Sequence, residues 1–174
     1  VASGAGAGGG AAGVAGSLGV VLLHDSAEAF IASGAQVDAG KALTVKAQTA
    51  ENVFNVGITG SGAGAADVGG SVVVNVISSD TAAYIADAKI NKQNLKSDEQ
   101  SVAVTAESDS TLVTVGGSGG GAGAASVGGV LNVNTLIKRT KAYIGEGADV
   151  VADTDVLVSA DSAQNIIGGS VSIR

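Results

Sequence analysis

The chain has 174 residues, of which 31 are Ala, 28 Gly and 25 Val, with no Pro, Cys, Met or Trp and a single His. The lack of Cys excludes disulfides, iron–sulfur and thiolate-zinc sites and a cysteine nucleophile, and the lone His24 excludes a multi-histidine metal centre. Nine basic against sixteen acidic residues give a net charge of −7, the wrong sign for nucleic acid, while 45% hydrophobic and 14% charged residues oppose disorder.

Residues 1–23 carry no charge and begin with the Gly/Ala tract Ser3–Gly13. Each Gly costs about 1 kcal/mol relative to Ala in a helix, so such a tract is a poor helix. In a strand, Gly permits close approach of a second layer. Val14-Ala15-Gly16 and an alternating run, Leu18, Val20, Leu22, follow, then Ala29-Phe30-Ile31, then Leu43-Thr44-Val45-Lys46-Ala47. Period two predicts strands with one face buried and with Lys46 and Gln48 facing away.

The same elements return in order. The tract Gly57–Ala66 leads to Val68-Gly69-Gly70, to Val72, Val74 and Val76, to Ala83-Tyr84-Ile85, and to Val102-Ala103-Val104-Thr105-Ala106. In Ser71–Ile77 both phases are apolar except Ser71 and Asn75, which predicts a strand covered on both faces. The tract Gly116–Ala125 then opens a third series, Val127-Gly128-Gly129, Leu131, Val133 and Thr135, Ala142-Tyr143-Ile144, and Val156-Leu157-Val158-Ser159-Ala160. Val45 to Val68 and Val104 to Val127 both span 23 residues, a constancy that a flexible linker would not need.

These series define a period near 54 residues, with units at 1–54, 55–113 and 114–174. Phe30 to Val45 and Tyr143 to Val158 span 15 residues, but Tyr84 to Val104 spans 20, which places about five extra residues within Lys89–Glu99. Val1 falls at the phase of Asn55 and Thr114, Ile166–Arg174 opens a fourth unit, and there is no initiator Met, so a slice of a longer array is expected. A single unit cannot bury its own apolar face, and stacked coils can. The fold expected is therefore all-β, an elongated β-solenoid of the parallel β-helix type, with Val45, Val104 and Val158 inward. Coils of about 18 or about 27 residues both divide the period.

Several motifs have bland explanations. Ser110–Ile137 is uncharged and long enough to span a membrane. It is Gly-laden, however, alternates with period two, and corresponds to a stretch holding Asp67. Residues 1–23 lack the basic start of a signal peptide, and a transmembrane barrel would want aromatic girdles, so no membrane insertion is expected. Gly60-Ser61-Gly62-Ala63-Gly64 echoes a phosphate-binding loop but precedes a predicted strand rather than a helix. Asp153-Thr154-Asp155 reads as a solvated turn, His24, Asp25 and Glu28 as an exposed corner, and Lys138, Arg139 and Lys141 as a solvated edge. No catalytic, cofactor or metal residues are assigned. Phe30, Tyr84 and Tyr143 share one phase and would form an aromatic ladder, the sole candidate ligand-contacting set.

The run from Val68-Gly69-Gly70 through Val76-Ile77, with Ala83-Tyr84-Ile85 and Val102–Ala106, resembles repeats of very large secreted bacterial exoproteins, the leukotoxin-like and filamentous-haemagglutinin-like adhesins. Val127-Gly128-Gly129, Ala142-Tyr143-Ile144-Gly145 and Gly147-Ala148-Asp149-Val150 resemble them too, whereas the first unit departs, with Phe30 for Tyr and Ala15 for Gly. The resemblance implies an elongated β-rich passenger region exported across an outer membrane. The repetition, with no catalytic set or cofactor motif, leads to the expectation of a non-enzymatic structural or adhesive module serving as stalk or filament, extracellular or on a bacterial cell surface. Its partners would be neighbouring repeats or copies of itself in a filament, with host or neighbour-cell glycans as further partners. A glycan-binding module and a fragment of a membrane-active toxin are the alternatives, and neither a cofactor nor nucleic acid is implied.

Overall fold

The computed structural model describes residues 1–93 and 99–173, and its regular structure is all strand. In chain order the strands are β1 (Ala2–Gly9), β2 (Ala12–Ile31), β3 (Gln36–Val37), β4 (Leu43–Ala63), β5 (Ala66–Ile85), β6 (Lys89–Ile90), β7 (Val102–Ala122), β8 (Ala125–Ile144), β9 (Asp149–Val150) and β10 (Val156–Ile173). They form three sheets, ordered β1-β4-β7-β10, β2-β5-β8 and β3-β6-β9, in which every pairing is parallel. The architecture is thus a stack of parallel sheets of the solenoid type, in which each circuit of the chain adds one strand to each sheet.

Paired residues lie far apart in sequence. Ala2 faces Val56 and Ala12 faces Ala66, each 54 residues on, whereas Leu43 faces Val102 and Ala66 faces Ala125, each 59 on. Among the described residues no strand pairs at the 18- or 27-residue spacings of shorter coils, because a circuit consists of two long strands and one short one. Val37 to Leu43 takes six residues, Ile90 to Val102 twelve, and Val150 to Val156 six. The surplus of the second circuit therefore falls between Ile90 and Val102. Positions 94–98 of the expected insertion Lys89–Glu99 lie outside the described residues. On its flank, buried Asn91 adopts a left-handed backbone with φ of 58°, a conformation Asn tolerates better than most residues. Its side chain accepts a hydrogen bond from the Ala39 amide at 2.8 Å and donates to the Val151 carbonyl at 3.0 Å, tying the first circuit to the third.

The two large sheets lie face to face, joined by the two-residue turns Gly10–Ala11, Gly64–Ala65 and Gly123–Ala124. These turns stack on one another: the Gly64 amide donates to the Gly10 carbonyl at 3.1 Å and the Gly123 amide to the Gly64 carbonyl at 3.2 Å. A Cβ on Gly64 would sit 2.2 Å from the Gly10 oxygen, and one on Gly123 2.5 Å from the Gly64 oxygen, so the first position of the second and third turns admits only glycine.

Away from the turns, at the end closed by the small third sheet, the interior is apolar: Val45, Ala47, Ala83, Ile85, Ala88, Ile90, Val102, Val104 and Ala106 form one cluster. Towards the turns the sheets draw closer. A Cβ on Gly57 would lie 2.7 Å from Val73 Cγ2, and one on Gly116 2.2 Å from Val130 Cγ1. The inward glycines thus allow the close approach expected of the tracts. Beside them the buried side chains are Ser17, Asn55, Thr59, Ser71, Asn75, Thr114 and Ser118. Most large apolar residues of this end point outward instead, Val73 and Val130 being inward opposite Gly57 and Gly116. Leu18, Leu22, Val68 and Leu131 are at least half exposed. The prediction that Ser71–Ile77 is covered on both faces holds for Val73 and Ile77, which are fully buried, but not for the phase of Val72, Val74 and Val76, which has no second layer.

Val45 and Val104 are buried as expected. Val158 pairs with Val104 in the same phase yet is 43% exposed, because among the described residues no second-sheet strand of a fourth circuit faces it. Val104 and Thr105 therefore give a one-residue test of the alternation. Val104→Asp places an unpaired carboxylate in a fully buried position and should cost several kcal/mol. Thr105→Asp faces out opposite Lys46 and should change stability by less than about 1 kcal/mol. Thermal or urea unfolding of the two variants measures the difference.

Candidate functional site

Phe30, Tyr84 and Tyr143 occupy one outward phase of β2, β5 and β8, because Phe30 pairs with Tyr84 and Tyr84 with Tyr143. Their rings stack nearly parallel, with centroids 5.3 Å and 4.9 Å apart and interplanar angles of 10° and 3°. The Tyr84 hydroxyl donates to Glu28 Oε1 at 2.8 Å. That bond to a carboxylate pushes the Tyr84 phenol above its ordinary value. Stacked in this way, the rings cover one another's faces within the ladder and present their edges to solvent.

The other singled-out residues do not assemble. His24 and Glu28 face outward on β2 while Asp25 faces inward, where it accepts a bond from the Ser26 amide at 2.8 Å. Gly60–Gly64 runs along the end of β4 and its turn into strand β5, so no helix N-terminus points at it. Among the described residues no group of three or more His, Asp or Glu side chains could hold a metal ion, the Asp153 and Asp155 turn included. No helix among them is long and apolar enough to cross a membrane.

The structure reveals one ionic cluster that sequence reading placed wrongly. Lys138 is not on a solvated edge. It points between the sheets, where its ammonium lies 3.3 Å from Glu51 Oε2 and donates to Ser110 Oγ at 2.6 Å, with both charged side chains only 2% exposed. Ser110 in turn hydrogen-bonds Glu51. Arg139, the next residue, does face outward and reaches Asp80 at 3.6 Å. A signal for this existed: Lys138 shares its phase with Leu136, Ala142 and Ile144, and Glu51 shares its phase with Val45 and Ala47. Burial raises the Glu51 pKa, but hydrogen bonds from Ser110 and Ser79 and the charge of Lys138 outweigh it and hold the carboxyl below the ordinary 4.5.

A second buried network sits nearer the turns. Asn55 donates to Asn75 Oδ1 at 2.7 Å, and the Asn75 amide donates to Thr114 at 2.9 Å and to Asn134 Oδ1 at 2.8 Å. Deeper still, Thr49 donates to Ser108 at 2.8 Å and lies 2.7 Å from the Thr81 hydroxyl. These groups bind each other across the sheets and leave no cleft. The apolar concave features among the described residues are shallow and open. One is a trough of about 600 Å³ along the outer face of the second sheet, floored by Gly16, Gly70 and Gly129.

No protein-family model, curated protein or solved structure matches the chain.

The Glu51–Lys138 pair generates a pH prediction. A carboxyl whose folded pKa is depressed contributes stability above its unfolded pKa and loses it as pH falls through the folded value. Stability should therefore decline below about pH 4.5, the unfolded value, and Glu51→Gln should flatten that decline. At neutral pH Lys138→Met strands a buried carboxylate and should cost about 3–5 kcal/mol. The double variant Glu51→Met/Lys138→Met should recover much of that loss. Urea denaturation across pH reads all three.

Proposed function

We propose that the chain is a non-enzymatic structural and adhesive repeat module, a segment of an elongated β-solenoid with one 54-residue repeat per circuit, serving as stalk or filament in a large bacterial surface or secreted protein. The observation that carries this reading is the register. Three parallel sheets run through every circuit at constant phase, and the outermost strands of the stack leave backbone donors and acceptors free to pair with a further coil. A body built in this way grows along one axis and gains length without a new core.

The open, shallow form of the trough on the second sheet agrees with a structural role. The adhesin-like repeats of the sequence support an extracellular setting. The glycan alternative is weaker, because a sugar stacks on an exposed ring face and the faces between Phe30, Tyr84 and Tyr143 are occupied by one another.

Concatenated arrays test the reading. Each added circuit should lengthen the particle by about 4.8 Å, the strand spacing, at constant cross-section. Small-angle scattering on arrays of increasing repeat number should show a maximum dimension rising linearly. A dimension rising as the cube root of mass would mean a globule rather than a stalk. Beads coated with the long array and washed over bacterial or host cell layers test the adhesive part directly.

A further inference from the structure

We propose that the outer face of the β2-β5-β8 sheet is a self-complementary interface that packs against the same face of a second copy of this chain, side by side with the two solenoid axes parallel. Apolar residues that a soluble chain would normally bury stand on this face: Val14, Leu18, Val20 and Leu22 on β2, with Val68, Val127, Leu131 and Val133 on the strands beside it, are 40–74% exposed. The exposed large hydrophobic side chains of this sheet's turn half together offer roughly 800 Å², the flanks of β2 and β8 included, of the order that each partner of a stable complex contributes, in one patch with no charged side chain.

The relief of the face identifies the partner. Rows of outward residues run along the solenoid, and each row repeats in all three circuits by register. In order from the turns they are Ala12, Ala66 and Ala125; Val14, Val68 and Val127; Gly16, Gly70 and Gly129; Leu18, Val72 and Leu131; Val20, Val74 and Val133; and Leu22, Val76 and Thr135. A two-fold axis along the solenoid, passing between the glycine row and the Leu18 row, reverses the strand direction of the partner. It sets the glycine row opposite the Leu18 row, the alanine row opposite the Leu22 row, and the Val14 row opposite the Val20 row. Small residues thus meet large ones and medium residues meet medium ones, as an isologous contact requires. The glycines are not demanded by the fold. Their φ values are not positive, and an added Cβ would approach nothing closer than 3.8 Å at Gly16, 3.5 Å at Gly70, and nothing within 4 Å at Gly129. What they do is keep the trough open.

Lipid is the competing cover, but fluid hydrocarbon presents no fixed relief for the alternating small and large rows to match. The contact is lateral, so it stands or falls independently of whether coils add axially.

Sedimentation velocity of the whole chain over a concentration series tests the proposal, with Val72→Asp and Gly129→Leu as variants. Both side chains point outward, and unchanged circular dichroism confirms that each variant folds. The expected result is a reversible dimer, with Val72→Asp weakening it at least tenfold. Gly129→Leu should weaken it too, although it adds apolar surface, because it fills the trough. A monomer at all concentrations would overturn the proposal, as would tighter association of Gly129→Leu, the mark of unspecific stickiness. Co-flotation of the unmodified chain with phosphatidylcholine vesicles, abolished by Val72→Asp and enhanced by Gly129→Leu, would overturn it in favour of lipid.

Discussion

The separation of the two large sheets governs the rest of the structure. Two-residue turns of Gly and Ala bring β4 onto β5 and β7 onto β8 with too little space between them for a conventional core. Where a Cβ on Gly116 would fall 2.2 Å from Val130 and one on Gly120 2.3 Å from the Asp67 carboxylate, a larger side chain on one sheet needs glycine opposite it on the other. Elsewhere Ser, Thr and Asn fill the gap and hydrogen-bond across it and along the stack. Val73 and Val130 point inward on these terms, and most other valines and leucines of the same strands take the outer phase. The apolar exterior at this end is therefore a steric consequence of the narrow interior. At the other end β3, β6 and β9 close the circuit, the gap accommodates Ile85, Ile90, Val102 and Val104, and the usual partition of apolar inside and charged outside returns.

Two kinds of interaction then fix the register. Parallel pairing alone would tolerate a slip, but a one-residue shift turns every inward side chain outward. At the wide end that shift would expose the Ile and Val cluster. At the narrow end it would drive Leu or Val into space that holds Ser or Gly and break the Asn55–Asn75–Thr114–Asn134 chain. The Glu51–Lys138 pair lies between these regions. Removing one partner of such a pair is costly although the intact pair stabilises little, so it discriminates against misregistered stacking more than it adds to stability. Several of these contacts, Asn75 with Thr114 and Glu51 with Lys138 among them, join residues from different circuits, so closing them requires large loops and implies slow folding for the chain's size.

Much of this was legible in the sequence, for a definite reason. Residues that stack on one another share a phase of the repeat, so aligning Val14 with Val68 and Val127, or Phe30 with Tyr84 and Tyr143, already states the register found in the sheets. Alternation also placed Val45 and Val104 inward correctly. The sidedness of Val72–Ile77 was not legible, since period two has the same form whichever phase is buried, and the usual assumption puts Ser and Asn outside. Lys138 was misplaced by the same assumption. Phase counted from Ile144, which pairs with the buried Ile85, would have put it inside. The number of coils per repeat could not be read either, because period two is uniform along a strand of twenty residues and marks no corner within it.

The distribution of charge completes the argument. Between Val53 and Ser79 the only charged side chain is Asp67, which is buried with its Oδ2 3.4 Å from the Ser126 hydroxyl, and between Ser110 and Ile137 there is none. Outward charges such as Lys46, Glu107, Arg139 and Asp80 gather on the wide half, where they form ion pairs between successive circuits. Exposed pairs of this kind contribute little stability, but a net charge of −7 keeps that half soluble and disfavours unspecific contact there. The narrow half has no such protection. Its exterior was made apolar by the demands of its interior, and each circuit adds to the apolar surface. A fold of this kind must either cover the face or use it. The regular rows of Gly, Val and Leu on the second sheet give that surface a definite relief, repeated in register from circuit to circuit.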